Sequence, residues 1–518
     1  MLARVYSAAL VGVEASLVRV EVDVAPGLPT FATVGLPDST VRESRERVRT
    51  AIRNAGFAFP SDRITVNLAP AHFRKEGPGF DLPIALALLA AMGCVRDGRM
   101  PSIAIVGELA LDGEIRPVRG VLAVALACRR RGIRRLLVPA VNEHEARVVD
   151  GIAVMSAATL SEAVATLNGE RIAGERAPAP RDAVDDDRRQ RWADLSSERD
   201  EPDMAEVRGQ AHAKRAMEIA AAGAHNVILI GPPGAGKTML ARRLPGILPP
   251  LTPDEAVEVS TIWSVSGLLD PDTGLVQSRP FRAPHHSISM AGLIGGGPGP
   301  NPGEVTFAHR GVLFLDEMPE FHTHVLESLR QPLEEGRVSV VRAGGTARFP
   351  ARLQLVGAAN PCRRGCQTLE LCVCTPVERQ RYLGRLSRPL LDRIDLHVEL
   401  PALPPADVQA VRPQESTADI RRRVAAARAR QQLRFLGLPL RANADMTTRH
   451  LRGFCRIPPD AEHLLTAAIA RLGLSARGHD RVLKVARTIA DLAGEDGIAA
   501  EHVAEAIQYR GLDRAWRP

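Results

Sequence analysis

The spacing of apolar and polar positions divides the chain into three structured stretches. In residues 1–170, "VRVEVDVAP" and "DRITVNLAP" alternate with the period of two that marks strands. Between them, "DSTVRESRERVRTAIRNAG" predicts a helix, capped by one of Asp38, Ser39 and Thr40 and stopped at Gly56. "LPIALALLAAMGCV" (Leu82 to Val95) is apolar throughout but too short to span a bilayer, which predicts a buried helix. Residues 171–205 are rich in charge and Pro and show no period; they read as a linker. After them come three apolar strand patterns, "NVILI", "GVLFLDE" and "LQLVGAAN". From about residue 406 the pattern turns helical, as in "TADIRRRVAAARARQQL" and "EHLLTAAIARLG".

Composition narrows the class. The 518 residues are 45% apolar and 25% charged, the range of a soluble globular chain long enough for several domains. The N-terminal "MLARVYSAALVGVEAS" has a short apolar run, then Glu14 and no clear cleavage site. The expectation is therefore a cytoplasmic protein with no membrane partner. A net charge of +7 permits a polyanionic partner. Aromatics are only 3%, which argues against a surface that stacks many bases; Arg and Lys contacts to phosphate would dominate.

The strongest chemical signal is "GPPGAGKT" after the strand "NVILI". Gly231, Pro232, Pro233, Gly234, Ala235 and Gly236 form a loop whose backbone N–H groups can close around phosphates. Lys237 should reach the β- and γ-phosphates, and Thr238 should ligate Mg²⁺. About 80 residues on, "GVLFLDE" ends in two carboxylates. Asp316 would hold the Mg²⁺ shell, and Glu317 would orient and deprotonate the attacking water. "LQLVGAAN" brings Asn360 to a third strand end, where its amide can position that water or touch the γ-phosphate. In "RPLLDRIDLHVEL", Arg393 precedes a further strand. It can serve as a finger in a neighbouring subunit's site or form a salt bridge with Asp392 or Asp395.

The order of these motifs resembles an AAA+ ATPase. "PFRAPHHSIS", "GEVTFAHRGVLFLDEMPEF", "RQPLEEGRV" and "LLDRIDLHVE" resemble its magnesium-chelatase-like branch. With "VGLPDSTVRESRERVRTAIRNAGF" in front and "LSARGHDRVLKVARTIADL" behind, nearly the whole chain resembles the YifB family, which includes competence protein ComM. The resemblance implies an α/β protein with three domains. These are a Lon-protease-like α+β domain over 1–170, an AAA+ P-loop core with a parallel sheet over 206–405, and an α-helical lid over 406–518. It implies a homo-oligomer, a hexamer, that uses ATP and Mg²⁺ to drive branch migration of branched or single-stranded DNA during recombination and natural transformation. It further implies a sensor 1 role for Asn360, a finger role for Arg393, and a sensor 2 cation near "ARGHDRVLKVAR", with Arg481 and Lys484 as candidates.

"KEGPGFDLPIALALLAA" resembles the nucleophile segment of Lon-type proteases, but Gly79 stands where the Ser would be. The segment resembling the one that carries the Lon lysine has no Lys between Arg119 and Ala123. A Ser–Lys dyad needs both groups, so a peptidase is not expected. Arg42, Arg45, Arg49 and Arg53 share one side of the first helix; they read as a solvated face or a DNA or subunit contact.

Cys362, Cys366, Cys372 and Cys374 place four of the seven cysteines within thirteen positions. Disulfides are disfavoured in the cytoplasm, and four thiolates can close a tetrahedral structural Zn²⁺ site; free thiols and a disulfide are the alternatives. ComM relatives commonly show Cys-Pro-Cys-Gly here, whereas this chain has Arg364 in place of the second Cys. Cys94, Cys128 and Cys455 are scattered and read as packed. His285 and His286 should point apart if their segment is extended. "RVSVVRAGGTARFPARLQL" predicts a hairpin with Gly344-Gly345 at its tip, flanked by Arg342 and Arg348 as candidates for DNA phosphate contact. Ser287 to Glu304 form a second, Gly/Pro-rich insertion. The rival readings are a chelatase-type ATPase chaperone and a peptide-remodelling scaffold.

Overall fold

The structure, a computed structural model, describes the chain except residues 97, 99, 171–201, 272, 298–300, 343–344, 367–371, 403–413 and 512–518. Most of the linker read from the sequence lies outside the described residues. The chain falls into two compact units. Among the described residues, no helix is long and apolar enough to cross a membrane.

The N-terminal unit is built on a seven-stranded mixed sheet. Its centre is the hairpin Leu2–Val11 with Glu14–Ala25, extended antiparallel by Arg63–Ala69. Alternate residues of Arg63–Ala69 are buried, as its period-two pattern requires. The helix Ser39–Asn54 is capped by Asp38, whose carboxylate accepts the Val41 N–H at 2.7 Å. The apolar helix Asp81–Ala91 is buried on nearly every side. Arg47 forms two hydrogen bonds to its first residue, Asp81, at 2.7 and 3.0 Å.

This unit brings the two Lon-like segments together. A Cβ on Gly79 would lie 3.8 Å from a Val118 methyl, so a serine would fit there, yet the chain supplies none. Lys75 is buried and its ammonium donates to the Phe73 carbonyl at 2.9 Å and to the Pro70 carbonyl. The unit also takes in Thr252–Gln277, which lie inside the stretch read from sequence as nucleotide core. There the helix Pro253–Ser266 opens on a Thr252–Glu255 capping box. Its Ser264 carbonyl accepts the Gly120 N–H, and its Ser264 hydroxyl donates to buried Glu145.

The second unit contains a five-stranded, all-parallel sheet in the order Phe281–Arg282, Val312–Leu315, Gln354–Ala359, Val227–Ile230, Leu396–Glu399. Its central strands are buried at every residue, as a sheet covered on both faces demands. The C-terminal helices, including Thr417–Arg434, Ala476–Ala493 and Ala500–Gln508, are part of the same unit. Val424, Ile489 and Val503 share one apolar core with Val227 and Leu396. Strand order reverses around Val227–Ile230, and in such sheets ligands collect at the strand ends beside that reversal.

Candidate nucleotide site

The phosphate loop leaves Val227–Ile230 at that point and runs into the helix Lys237–Ile247. Two glycines have no substitute. Gly236 caps the helix at φ 91°, a left-handed conformation. Gly231 passes so close to the neighbouring chain that a Cβ would lie 2.4 Å from the Leu400 carbonyl oxygen. The Lys237 ammonium is buried and donates to the Gly231 and Pro232 carbonyls at 2.6 and 2.9 Å. It also donates to Asn360 Oδ1 at 2.9 Å, which ties the loop to the end of Gln354–Ala359. Burial lowers the Lys237 pKa, while the Asp316 and Glu317 carboxylates oppose that shift.

The adjacent strand Val312–Leu315 delivers the acidic pair. The Thr238 hydroxyl donates to Asp316 Oδ2 at 2.8 Å, so the two expected Mg²⁺ ligands share one spot. Asp316 Oδ1 accepts the Glu317 N–H at 2.9 Å. Glu317 has φ 49°, an uncommon conformation for a residue with a side chain. Its carboxylate is about half exposed, with His286 Nδ1 at 3.9 Å. The expectation that His285 and His286 diverge is corrected. A turn, closed by Ile288 N–H to the His285 carbonyl at 3.0 Å, replaces the extended segment and brings the rings together, tilted by 35° with centroids 4.0 Å apart.

Because Lys237 holds both loop and Asn360, its loss is expected to act on binding. Hydrogen bonds to charged groups contribute roughly 1.5–3 kcal/mol. Lys237→Ala should then weaken ATP affinity about 10- to 100-fold in isothermal titration. Unchanged affinity would remove Lys237 from the phosphate site.

Beyond Asn360 the four cysteines of the cluster converge. Their sulfur atoms all lie within 4.8 Å of one another, with Cys362 and Cys374 buried. None of the four is in a disulfide. Burial opposes ionisation of Cys362, but the Cys366 N–H and the surrounding thiols outweigh it and bring its pKa to about 7. Burial pushes Cys374 up to about 11. Of the scattered cysteines, Cys128 and Cys455 are buried and Cys94 is half-buried.

Arg393 is buried. Its guanidinium donates to the Pro389 carbonyl at 2.6 Å and to Glu334 at 2.5 Å, so its acidic partner is neither Asp392 nor Asp395. Asp395 is taken by Arg481, which also donates to the Asp392 carbonyl. Lys484 donates to the Ala444 carbonyl at 2.8 Å. Both cations named from sequence on that helix are thus committed to partners away from the phosphate loop. The exposed cation is Arg477, which sequence reasoning did not single out; it lies 3.7 Å from the same Glu334 that holds Arg393. The available signal was Ser475, which caps the helix and sets Arg477 in its first turn.

The predicted hairpin forms from Arg337–Arg342 and Gly345–Pro350. Its exact tip, and the Arg342 side chain, lie outside the described residues. Arg348 is exposed but pairs with Ser339, set back from the turn. In the other unit, Arg49 and Arg53 lie over the Phe59 ring at 5.8 and 5.9 Å, so that row of arginines is partly packed.

Comparison with known proteins identifies the family. Residues 203–408 match the family model described as magnesium chelatase, subunit ChlI. Residues 20–142 match that for subunit ChlI of Mg-chelatase, and 414–510 that for the ChlI C-terminal region. The chain is 44% identical over 513 residues to YifB of Escherichia coli, covering 98% of this chain and 97% of that one. It is 44% identical over 516 residues to competence protein ComM of Haemophilus influenzae, covering 99% and 98%. It is 30% identical over 220 residues to the magnesium-chelatase 38 kDa subunit of Rhodobacter capsulatus, covering 39% and 56%.

Proposed function

This chain belongs to the YifB family of magnesium-chelatase-like proteins that includes ComM, and from that premise we propose that it is an ATP-driven motor that migrates branch points in DNA as a homo-hexamer. The observation that carries the ATPase half is the convergence of Lys237 on Asn360 and of Thr238 on Asp316. Lys237 and the loop N–H groups bind the phosphates, Thr238 and Asp316 hold Mg²⁺, and Glu317 takes the proton of the attacking water. Arg393 and Arg477 act on the nucleotide of a neighbouring subunit, which explains why they share Glu334 rather than pointing into their own loop. The competence protein among the relatives points to DNA as substrate. The positive net charge and the exposed Arg348 on the hairpin supply phosphate contacts.

ATP turnover should rise with branched DNA, and a synthetic Holliday junction should be converted to duplex products only with ATP. The stimulation should tolerate any base sequence and fall steeply with salt, because each phosphate neutralised by Arg or Lys displaces a counterion that added salt drives back. Replacing Arg342 and Arg348 together should remove the stimulation and spare basal turnover. The match to a chelatase subunit supports the second reading, a chaperone of the chelatase type. Stimulation by a porphyrin-loaded partner or by unfolded peptide, with none by junction DNA at low salt, would replace the DNA motor.

A further inference from the structure

We infer that Cys362, Cys366, Cys372 and Cys374 hold one zinc ion as a tetrathiolate site, and that this knot braces the phosphate loop. The ligand count and chemistry fit. A tetrahedral Zn–S₄ centre with bonds near 2.3 Å spaces its sulfurs roughly 3.8 Å apart. The four sulfurs here are already within 4.8 Å, so small side-chain movements close the site. A single disulfide would use two of them and leave the convergence of the other two without a reason.

The surroundings are those of a bound thiolate. The Cys366 N–H donates to the Cys362 sulfur at 3.3 Å. The Cys366 and Cys374 sulfurs receive backbone hydrogen bonds from Val373 and Arg364. Donors aimed at sulfur spread the charge that four thiolates bring to a divalent ion, and such outer partners orient the ligands.

The knot meets the nucleotide site through the described residues on both of its sides. Cys362 follows Asn360 by two residues. Gly365, at φ 65°, sits against the phosphate loop so tightly that a Cβ would lie 2.7 Å from a Pro233 ring carbon. After Cys374, a Thr375–Glu378 capping box starts the helix Pro376–Leu383, whose Tyr382 hydrogen-bonds the Asn360 backbone. Fixing the cysteines therefore fixes Pro233 and Asn360 from outside the loop. Zinc binding stands on the sulfur geometry alone; the bracing half rests on the nucleotide reading above.

Elemental analysis of the full-length protein should find about one zinc per chain. Cys372→Ala with Cys374→Ala should abolish it, and Cys94→Ser should keep it. Stripping the wild type with a chelator should weaken ATP affinity about tenfold, and adding back zinc alone should restore it. This reversible arm serves if the double variant fails to fold. Metal-free protein with four alkylatable thiols, or iron in place of zinc, overturns the site. Full zinc with ATP affinity unmoved by stripping overturns the bracing. Wild-type protein that holds zinc but binds no ATP at all would instead sink the nucleotide reading.

Discussion

Glu317→Gln should reduce ATP turnover about 100- to 10,000-fold, the range for losing a positioned general base, with ATP affinity close to wild type. The amide fills the same space but cannot accept a proton from water. The proposed Mg²⁺ ligands are untouched, since Thr238 donates to Asp316 and not to Glu317. The backbone turn is also kept, because Asp316 holds the Glu317 N–H rather than its side chain. The carboxylate is about half exposed and lies 3.9 Å from His286, so its removal leaves no buried charge unpaired. Lys237→Ala gives the opposite pattern, in which binding fails first. Titration calorimetry and phosphate release on the same preparations separate the two. Turnover at the wild-type rate in Glu317→Gln would assign the base elsewhere.

Sequence spacing brought out the residues of the candidate nucleotide site because its geometry is local. The loop, its lysine and the following helix are one continuous stretch, and each acidic or amide group ends a strand whose apolar run is plain. The cysteine cluster was legible for the same reason: thirteen positions cannot spread four thiols far apart. What escaped was set by distant pairing. Arg393 meets Glu334 across 59 residues, and Arg481 meets Asp395 across 86, so nothing near either arginine told which acid it would find. The two histidines were misread because extended backbone was assumed where a turn forms. The grouping of Thr252–Gln277 with the N-terminal unit was invisible for a further reason. A capped helix of mixed apolar and polar residues reads the same whichever core it covers, and only its packing on the Val121–Arg130 helix decides.

Arg393→Ala should bind ATP normally and hydrolyse it about 1,000-fold or more slowly, the scale of an arginine that neutralises transition-state charge. The geometry argues that this deficit is catalytic. Arg393 is tied to Glu334, a half-exposed carboxylate that water can solvate once the arginine is gone, so no buried acid is left unpaired. Its Nε has no partner among the described residues, which is poor design for a structural salt bridge. Arg477 stands beside it, more exposed, on the same acid. If both arginines serve a neighbour, the deficit can be complemented. Lys237→Ala subunits cannot hold nucleotide well but keep Arg393; Arg393→Ala subunits keep the phosphate loop but lack the finger. Mixed oligomers should therefore recover part of the turnover that neither variant shows alone, at junctions where an intact loop faces an intact finger. Arg477→Ala should lower turnover in the same direction and be complemented in the same way. A structural role predicts something else: a fall in melting temperature that tracks the missing activity, and no recovery in oligomers verified to contain both variants. That outcome would leave Arg393 as the partner of Glu334 and nothing more.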